Sequence, residues 1–200
     1  MPRGQRPVFG KRAEAGVLHL LERRRAAINV AGANLRNAHV LHFAPEAGLA
    51  SLLKTRVGRY QSADIAEGRA DLVLNIEAIA ASEASYDCVV CSHVLEHVDD
   101  KKALAEIFRV LKPGAIALIM LPVIEGWATT YENPQIVSSE DRKRHYGQAD
   151  HVRYYGADVR DRIRAAGFTL EEFTAEGEDV LTYALQRGEK VFIARKPDSA

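Results

Sequence analysis

Residues 86–123, YDCVVCSHVLEHVDDKKALAEIFRVLKPGAIALIMLPV, read as one strand–helix–strand unit. Tyr86–Ser92 is an apolar run between polar neighbours, the pattern of a strand buried on both faces in a parallel sheet. Asp99 or Asp100 can cap the helix that follows, because a carboxylate accepts bonds from the free N–H groups of a first turn. Leu104, Ile107, Phe108 and Leu111 recur at helical spacing and form one stripe for burial. Arg109 and Lys112 suit the negative end of the helix dipole, and Pro113-Gly114 stops the helix. Ala115–Val123 is a second apolar run, so the crossover joins two parallel neighbours with right-handed sense.

Similar units flank this one. His39–Ala44 reads as a first strand that turns through Glu46-Ala47-Gly48 into a helix at Leu49–Thr55. Arg59–Ile65 and Leu72–Ile76 read as the second and third strands. Val159, Ile163 and Ala166 stripe a later helix that Gly167 ends, and Phe168–Ala175 and Lys190–Lys196 read as the last two strands. Strands alternating with helices predict an α/β fold, a doubly wound sheet whose ligands sit outside the carboxyl ends of its strands. Glu46, Asp64, Asn75 and Ser92 all fall at such ends, which predicts a polar-rimmed pocket. Asp64 at the end of the second strand is placed either to accept both hydroxyls of a ribose or to cap the next helix.

VVCSHVLEHV, then a capped helix ending in FRVLKPGA, then an apolar strand, resembles the fourth and fifth strands of the class I S-adenosylmethionine-dependent methyltransferases, in particular those of type 11. The resemblance extends over about Val40 to Val123 and holds in outline beyond it. It implies a Rossmann-like methyltransferase fold with a seven-stranded, mostly parallel sheet whose last strand is reversed, and S-adenosyl-L-methionine as cofactor. In that superfamily the turn after the first strand carries a Gly-x-Gly-x-Gly pattern behind an acidic residue. Aligning VLHFAPEAG on it puts His42 at the acidic position, Ala44 and Glu46 at the first two glycines, and Gly48 at the third. Glu46 is then the candidate for the displaced carboxylate that receives the cofactor's ammonium. The resemblance further implies that Asp64 and Ile65 hold the ribose end, that Asn75 and Ile76 contact adenine, and that Ser92 lies on the cofactor rim. The expected activity is methyl transfer to a small polar acceptor through an oxygen or nitrogen nucleophile. A cofactor-binding module without catalysis is the alternative that the altered Ala44-Pro45-Glu46 turn suggests.

Such a reaction calls for positioning and, for a neutral nucleophile, a base near pH 7. His93 and His97 beside the cofactor rim and His151 further on are the catalytic candidates. Glu125–Tyr155 lacks a sustained apolar face, yet it holds Trp127, Tyr131, Tyr146, Tyr154 and Tyr155, which are costly to expose. It is expected to be a lid inserted after strand five, with Ser138-x-x-Asp141 opening a short helix. Trp127, Tyr131, His145, Gln148, Asp150 and Arg153 are its candidate substrate-binding residues, Arg153 by pairing with an acceptor carboxylate or phosphate.

His93-Val94-Leu95-Glu96-His97 also matches the H-x-x-E-H signature of zinc proteases. That chemistry needs a helix several turns long, whereas this motif opens directly from a strand, so no metal site is expected. The only cysteines, Cys88 and Cys91, fall three apart in a strand and point to opposite faces, which predicts buried structural thiols.

The 27 basic and 27 acidic residues cancel, so net charge does not suggest a duplex nucleic-acid partner. No apolar run approaches the roughly 20 residues that span a bilayer, and the N-terminus lacks an apolar signal core, so no membrane association and a cytoplasmic location are expected. The chain is expected to be a single methyltransferase domain over residues 1–200, with an N-terminal helical extension at 1–38 carrying Arg23-Arg24-Arg25 and the lid at 125–155.

Overall fold

The two apolar runs of the central unit lie side by side in the middle of one sheet. The structure is a computed structural model that describes residues 35–178, 180 and 187–198; the expected N-terminal helix and its three arginines lie outside them. In chain order the strands are β1 His39–Phe43, β2 Arg59–Asp64, β3 Leu72–Val73, β4 Tyr86–Ser92, β5 Leu111–Met120, β6 Tyr131–Glu132, β7 Arg153–Tyr154, β8 Thr169–Thr174 and β9 Lys190–Arg195. The helices are α1 Ala47–Arg56, α2 Asp100–Val110, α3 Ser139–Tyr146 and α4 Val159–Ala165. Among the described residues the main sheet has seven strands in the order β3-β2-β1-β4-β5-β9-β8. The first five run parallel, while β9 is antiparallel to both β5 and β8. The order reverses between β1 and β4, and that crevice is where open α/β sheets take their ligands.

Central position explains the continuous apolar sequence of β4 and β5. Both are covered on two faces, and Val89, Val90, Cys91, Ala117, Leu118 and Ile119 are all buried. The two thiols join this core, where burial pushes the Cys88 thiol up to about 12 and raises Cys91 as well. Asp99, not Asp100, caps α2, its side chain accepting from the Lys102 N–H at 3.3 Å. The buried stripe of α2 is Ala103, Leu104, Ile107 and Val110, with Phe108 half-buried beside it. Leu111 was expected in that stripe but is already the first residue of β5, paired with Tyr86. Pairing then slips, resuming at Cys88 with Ile116, so that Lys112–Ala115 bulge outward with Gly114 at a φ of 75°. β3 is shorter than the expected Leu72–Ile76, because the chain turns at Asn75, whose side-chain oxygen accepts the Glu77 N–H. No helix of the described residues is long and apolar enough to cross a membrane.

Residues 125–155 leave and rejoin the fold at one point. Val123 pairs with Tyr155, and the Ile124 N–H donates to the Tyr155 carbonyl at 2.8 Å. Within the excursion β6 and β7 form a small antiparallel ladder, and α3 begins at Ser138, whose hydroxyl accepts the Asp141 N–H as the sequence predicts. Tyr146 is fully buried in a cluster of rings with Tyr131 and Tyr154.

The strand returning from the excursion is sewn to the turn that follows β4. The Val152 N–H donates to the Glu96 carbonyl at 2.9 Å, and one guanidinium nitrogen of Arg153 donates to the carbonyls of Leu95 and Val98 at 2.7 and 2.6 Å. The rest of that guanidinium meets Glu132 at 2.9 Å and approaches Asp100 at 3.7 Å. Asp100 also accepts from Arg162 and from the Tyr155 hydroxyl. Arg153, expected to pair with an acceptor, is instead 7% exposed and committed to this network. Arg153→Met should therefore lower unfolding free energy by about 2 kcal/mol, since it takes a buried cation from beside Asp100 and leaves the Val98 carbonyl without its donor, while Arg162 and Tyr155 keep Asp100 and the Leu95 carbonyl paired. Urea denaturation measures this, and a loss under about 1 kcal/mol would show that the network carries little of the fold.

Candidate functional site at the carboxyl rim

Strand register sets the site. Phe43 pairs with Ala63 and with Cys91, and Ser92 pairs with Met120. Ala44, Asp64, Ser92 and Met120 consequently stand in one row across the carboxyl edge of β1, β2, β4 and β5. Two non-glycine residues on this edge take left-handed backbone, Ala44 at φ 47° and His93 at φ 53°. Each costs roughly 1–2 kcal/mol in an L-residue. Ala44 thus adopts the conformation for which the resembling proteins use glycine, held by its N–H bond to the Ala63 carbonyl at 2.8 Å.

His42 is fully buried on β1 and lies 3.0 Å from both the Tyr60 hydroxyl and Glu46. Burial is the largest influence on Glu46 and opposes its ionisation, but the hydrogen bond and charge of His42, together with Ser92 and a backbone N–H, outweigh it, and the carboxyl lies below its ordinary value. Ser92 Oγ lies near enough to lower it further, and is buried without a hydrogen-bond partner among the described residues. Gly48 is exposed on the first turn of α1. At the end of β2, Asp64 accepts the Ala66 N–H through one oxygen at 2.8 Å, and Ile65 beside it is 72% exposed. Asn75 is exposed at its turn, whereas Ile76 faces the core. The exposed apolar face on this part of the rim therefore belongs to Ile65.

An ionised carboxylate, a second carboxylate with one oxygen unengaged among the described residues, an exposed aliphatic face and a buried hydroxyl without a partner suit one kind of ligand. Such a ligand carries an ammonium, a ribose and a flat base, and S-adenosylmethionine has all three.

At the end of β4 the chain forms a 3-10 turn, Leu95–His97, instead of the long helix a zinc protease requires. His93 Nδ1 lies 3.3 Å from Glu96 Oε1, and Glu96 is 1% exposed. Burial lowers the His93 imidazole pKa, but the Glu96 hydrogen bond and charge raise it more, so it stays above its ordinary value. His93 opens onto a cavity of about 240 Å³ walled by Met120, Val123, Glu125, Arg187 and Lys190. Arg187 and Lys190 were not singled out from the sequence, because only tertiary structure brings the segment before β9 to this rim. His97 and His151 stand apart from the cavity with ring centroids 4.6 Å from each other. Burial, and then the neighbouring His97, depress the His151 imidazole.

The remaining candidates lie on the excursion. Trp127 and Tyr131 are partly exposed and flank an open cleft, and the Tyr131 hydroxyl lies 2.8 Å from His145 Nδ1. Gln148 is exposed, and Asp150 lies against His97.

Residues 15–119, more than half of the chain, match the methyltransferase domain family. The chain belongs to that family, and its fold is that of class I S-adenosylmethionine-dependent methyltransferases. The ubiquinone/menaquinone biosynthesis C-methyltransferase UbiE of Pectobacterium carotovorum is 33% identical over 87 residues, which is 42% of this chain and 35% of that protein. UbiE of Klebsiella pneumoniae is 39% identical over 62 residues, 29% of this chain and 25% of its own length. The chain thus spans only a quarter to a third of the length of these curated relatives. Among solved structures, the Burkholderia thailandensis 1,6-didemethyltoxoflavin-N1-methyltransferase, with S-adenosylhomocysteine bound, superposes with a TM-score of 0.59 at 17% identity, covering 98% of this chain and 94% of its own. The [4+2]-cyclase SpnF superposes with a TM-score of 0.61 at 15% identity, covering 92% and 82%.

If Asp64 takes the ribose hydroxyls, Asp64→Ala should weaken S-adenosylhomocysteine binding by ~1.5–3 kcal/mol, the range for a charged hydrogen-bond partner. Calorimetry reads this directly, and unchanged affinity would confine Asp64 to its turn with Ala66.

Proposed function

We propose that the chain transfers the methyl group of S-adenosylmethionine to a small polar acceptor seated in the cavity beside His93. The observation that carries this reading is the His93–Glu96 pair, which places an imidazole in the cavity wall with a buried carboxylate behind it. The cofactor supplies an activated methyl on a sulfonium, so the protein's task is to position the acceptor and exclude water. Glu96 accepts from His93 Nδ1 and so holds the tautomer whose Nε2 can take the acceptor's proton. Arg187 and Lys190 face Glu125 and Glu189 in the same wall, a balance of charges that favours a polar acceptor. The excursion at 125–155 serves as the lid in this reading, with Trp127, Tyr131, His145 and Gln148 on its accessible side and Arg153 as its fastening. A cytoplasmic location accompanies this reading.

An oxygen or nitrogen nucleophile fits this arrangement. The relatives named as C-methyltransferases favour a second reading, in which an acidic carbon is methylated; the same imidazole would remove its proton. Incubating the protein with labelled S-adenosylmethionine and a small-molecule cell extract, followed by mass spectrometry, separates the two by the position of the label. With the acceptor in hand, His93→Ala should lower kcat at least a hundredfold, the lower bound for loss of a general base, while S-adenosylhomocysteine affinity stays within twofold. Turnover retained in this variant would remove His93 from the chemistry, and no labelled product with any extract would sink methyl transfer itself.

A further inference from the structure

We propose that Glu96, His97 and His151 form a binding site for a divalent first-row transition-metal cation, zinc foremost. Each offers one ligand atom, and these atoms lie within 4.8 Å of one another. A tetrahedral zinc bonded at about 2.0–2.1 Å sets its ligands roughly 3.3 Å apart, so small rotations of the side chains close the distance. Two imidazoles and one carboxylate are a donor set that zinc and its neighbours favour.

Two unsatisfied atoms point to a missing occupant. Glu96 is 1% exposed and its Oε2 has no hydrogen-bond partner; His151 is 4% exposed and its Nδ1 has none. Buried carboxylate and imidazole atoms are nearly always paired, and leaving one on each of two residues of the same cluster without a partner is costly. A cation between them satisfies both.

The surroundings are those of a built site. His97 Nδ1 lies 3.3 Å from the Asp150 carbonyl and 3.4 Å from its carboxylate, the outer partner that fixes a ligating ring. Glu96 Oε1 is engaged by His93, which leaves Oε2 for the ion. His151 is presented by the Val152 and Arg153 bonds to the carbonyls of Leu95, Glu96 and Val98. Three protein ligands leave a position open, as in sites that bind a water or an oxygen of a small molecule. The H-x-x-E-H spacing pairs His93 with His97, whereas the structure couples Glu96 and His97 to His151 and leaves His93 outside the cluster.

The site shares Glu96 with the His93 pair, through its other oxygen, and is tested without methyl transfer. Full-length protein freed of metal with a chelator is titrated with zinc by calorimetry and with cobalt by visible absorption. One equivalent should bind with micromolar or tighter affinity, cobalt should show ligand-field bands, and zinc should raise the thermal midpoint. His97→Ala, at a half-buried position that should tolerate truncation, and His151→Asn should each weaken zinc at least tenfold and abolish the midpoint shift, while His145→Ala leaves affinity unchanged. No uptake by the wild type at submillimolar zinc overturns the site. So does zinc affinity that both ligand variants retain, or that His145→Ala removes. S-adenosylhomocysteine calorimetry on the same preparation keeps the two readings separable, since cofactor binding without metal sinks only the metal site, and metal without cofactor sinks only the methyltransferase reading.

Discussion

The turn after β4 depends on bonds from outside itself. A three-residue 3-10 turn cannot satisfy its own carbonyls, and here those of Leu95, Glu96 and Val98 are all satisfied by Val152, Arg153 and Tyr155. Burying an arginine is expensive, and this one is matched by Glu132 and Asp100 as well as by the carbonyls. The fastening fixes the excursion to the rim and the rim to the excursion. It also decides what Glu96, His97 and His151 can do, because the same bonds that hold the turn bring the third side chain against the other two.

Left-handed backbone at the rim has a complementary logic. Ala44 and His93 each follow immediately on the last residue of a parallel strand, and each still donates its N–H across the ladder, Ala44 to Ala63 and His93 to Met120. The ladder bond holds the residue while the positive φ swings the chain off the sheet, so strain of roughly 1–2 kcal/mol per residue is offset by pairing already in place. At Ala44 the turn carries the chain to Glu46, which can then reach back to His42. At His93 it aims the imidazole into the cavity. A glycine would permit the same turn at either place, but only histidine brings a titratable group with it.

The sheet was legible in the sequence because its signals are local. Continuous apolar runs marked β4 and β5, and the pair Asp99-Asp100 and Ser138 marked the starts of α2 and α3. The row of strand ends was legible because parallel register lines them up, which needs no knowledge of side-chain contacts. Arg153 and His151 were misjudged or half-read for the opposite reason. A run of polar and aromatic residues does not say whether an arginine faces solvent or crosses more than fifty residues of chain to meet Leu95 and Val98. Ile65 and Ile76 show the same limit, since both are aliphatic and both lie near the rim, and only tertiary packing left the first exposed and buried the second.

Fold alone does not choose the reaction at such a rim. An N-methyltransferase and a [4+2]-cyclase superpose on this chain about equally well. What distinguishes one use from another is the set of groups facing the space beyond the cofactor, and here that set is unusual in its balance. The cavity wall has one imidazole with a buried carboxylate behind it, and two cationic side chains with two carboxylates, Glu125 and Glu189. Lys190 is itself drawn toward Glu125 at 3.5 Å and donates to Thr174, and Arg160 completes the neutralisation of Glu125, which lowers that carboxyl below its usual range. Hydrogen bonding to Arg160 is the leading cause of that shift, so Glu125 remains an anion and cannot itself serve as a neutral acid. His93 is the one group lining this wall whose ordinary titration range lies near neutrality, which is why the proposed proton removal is assigned to it.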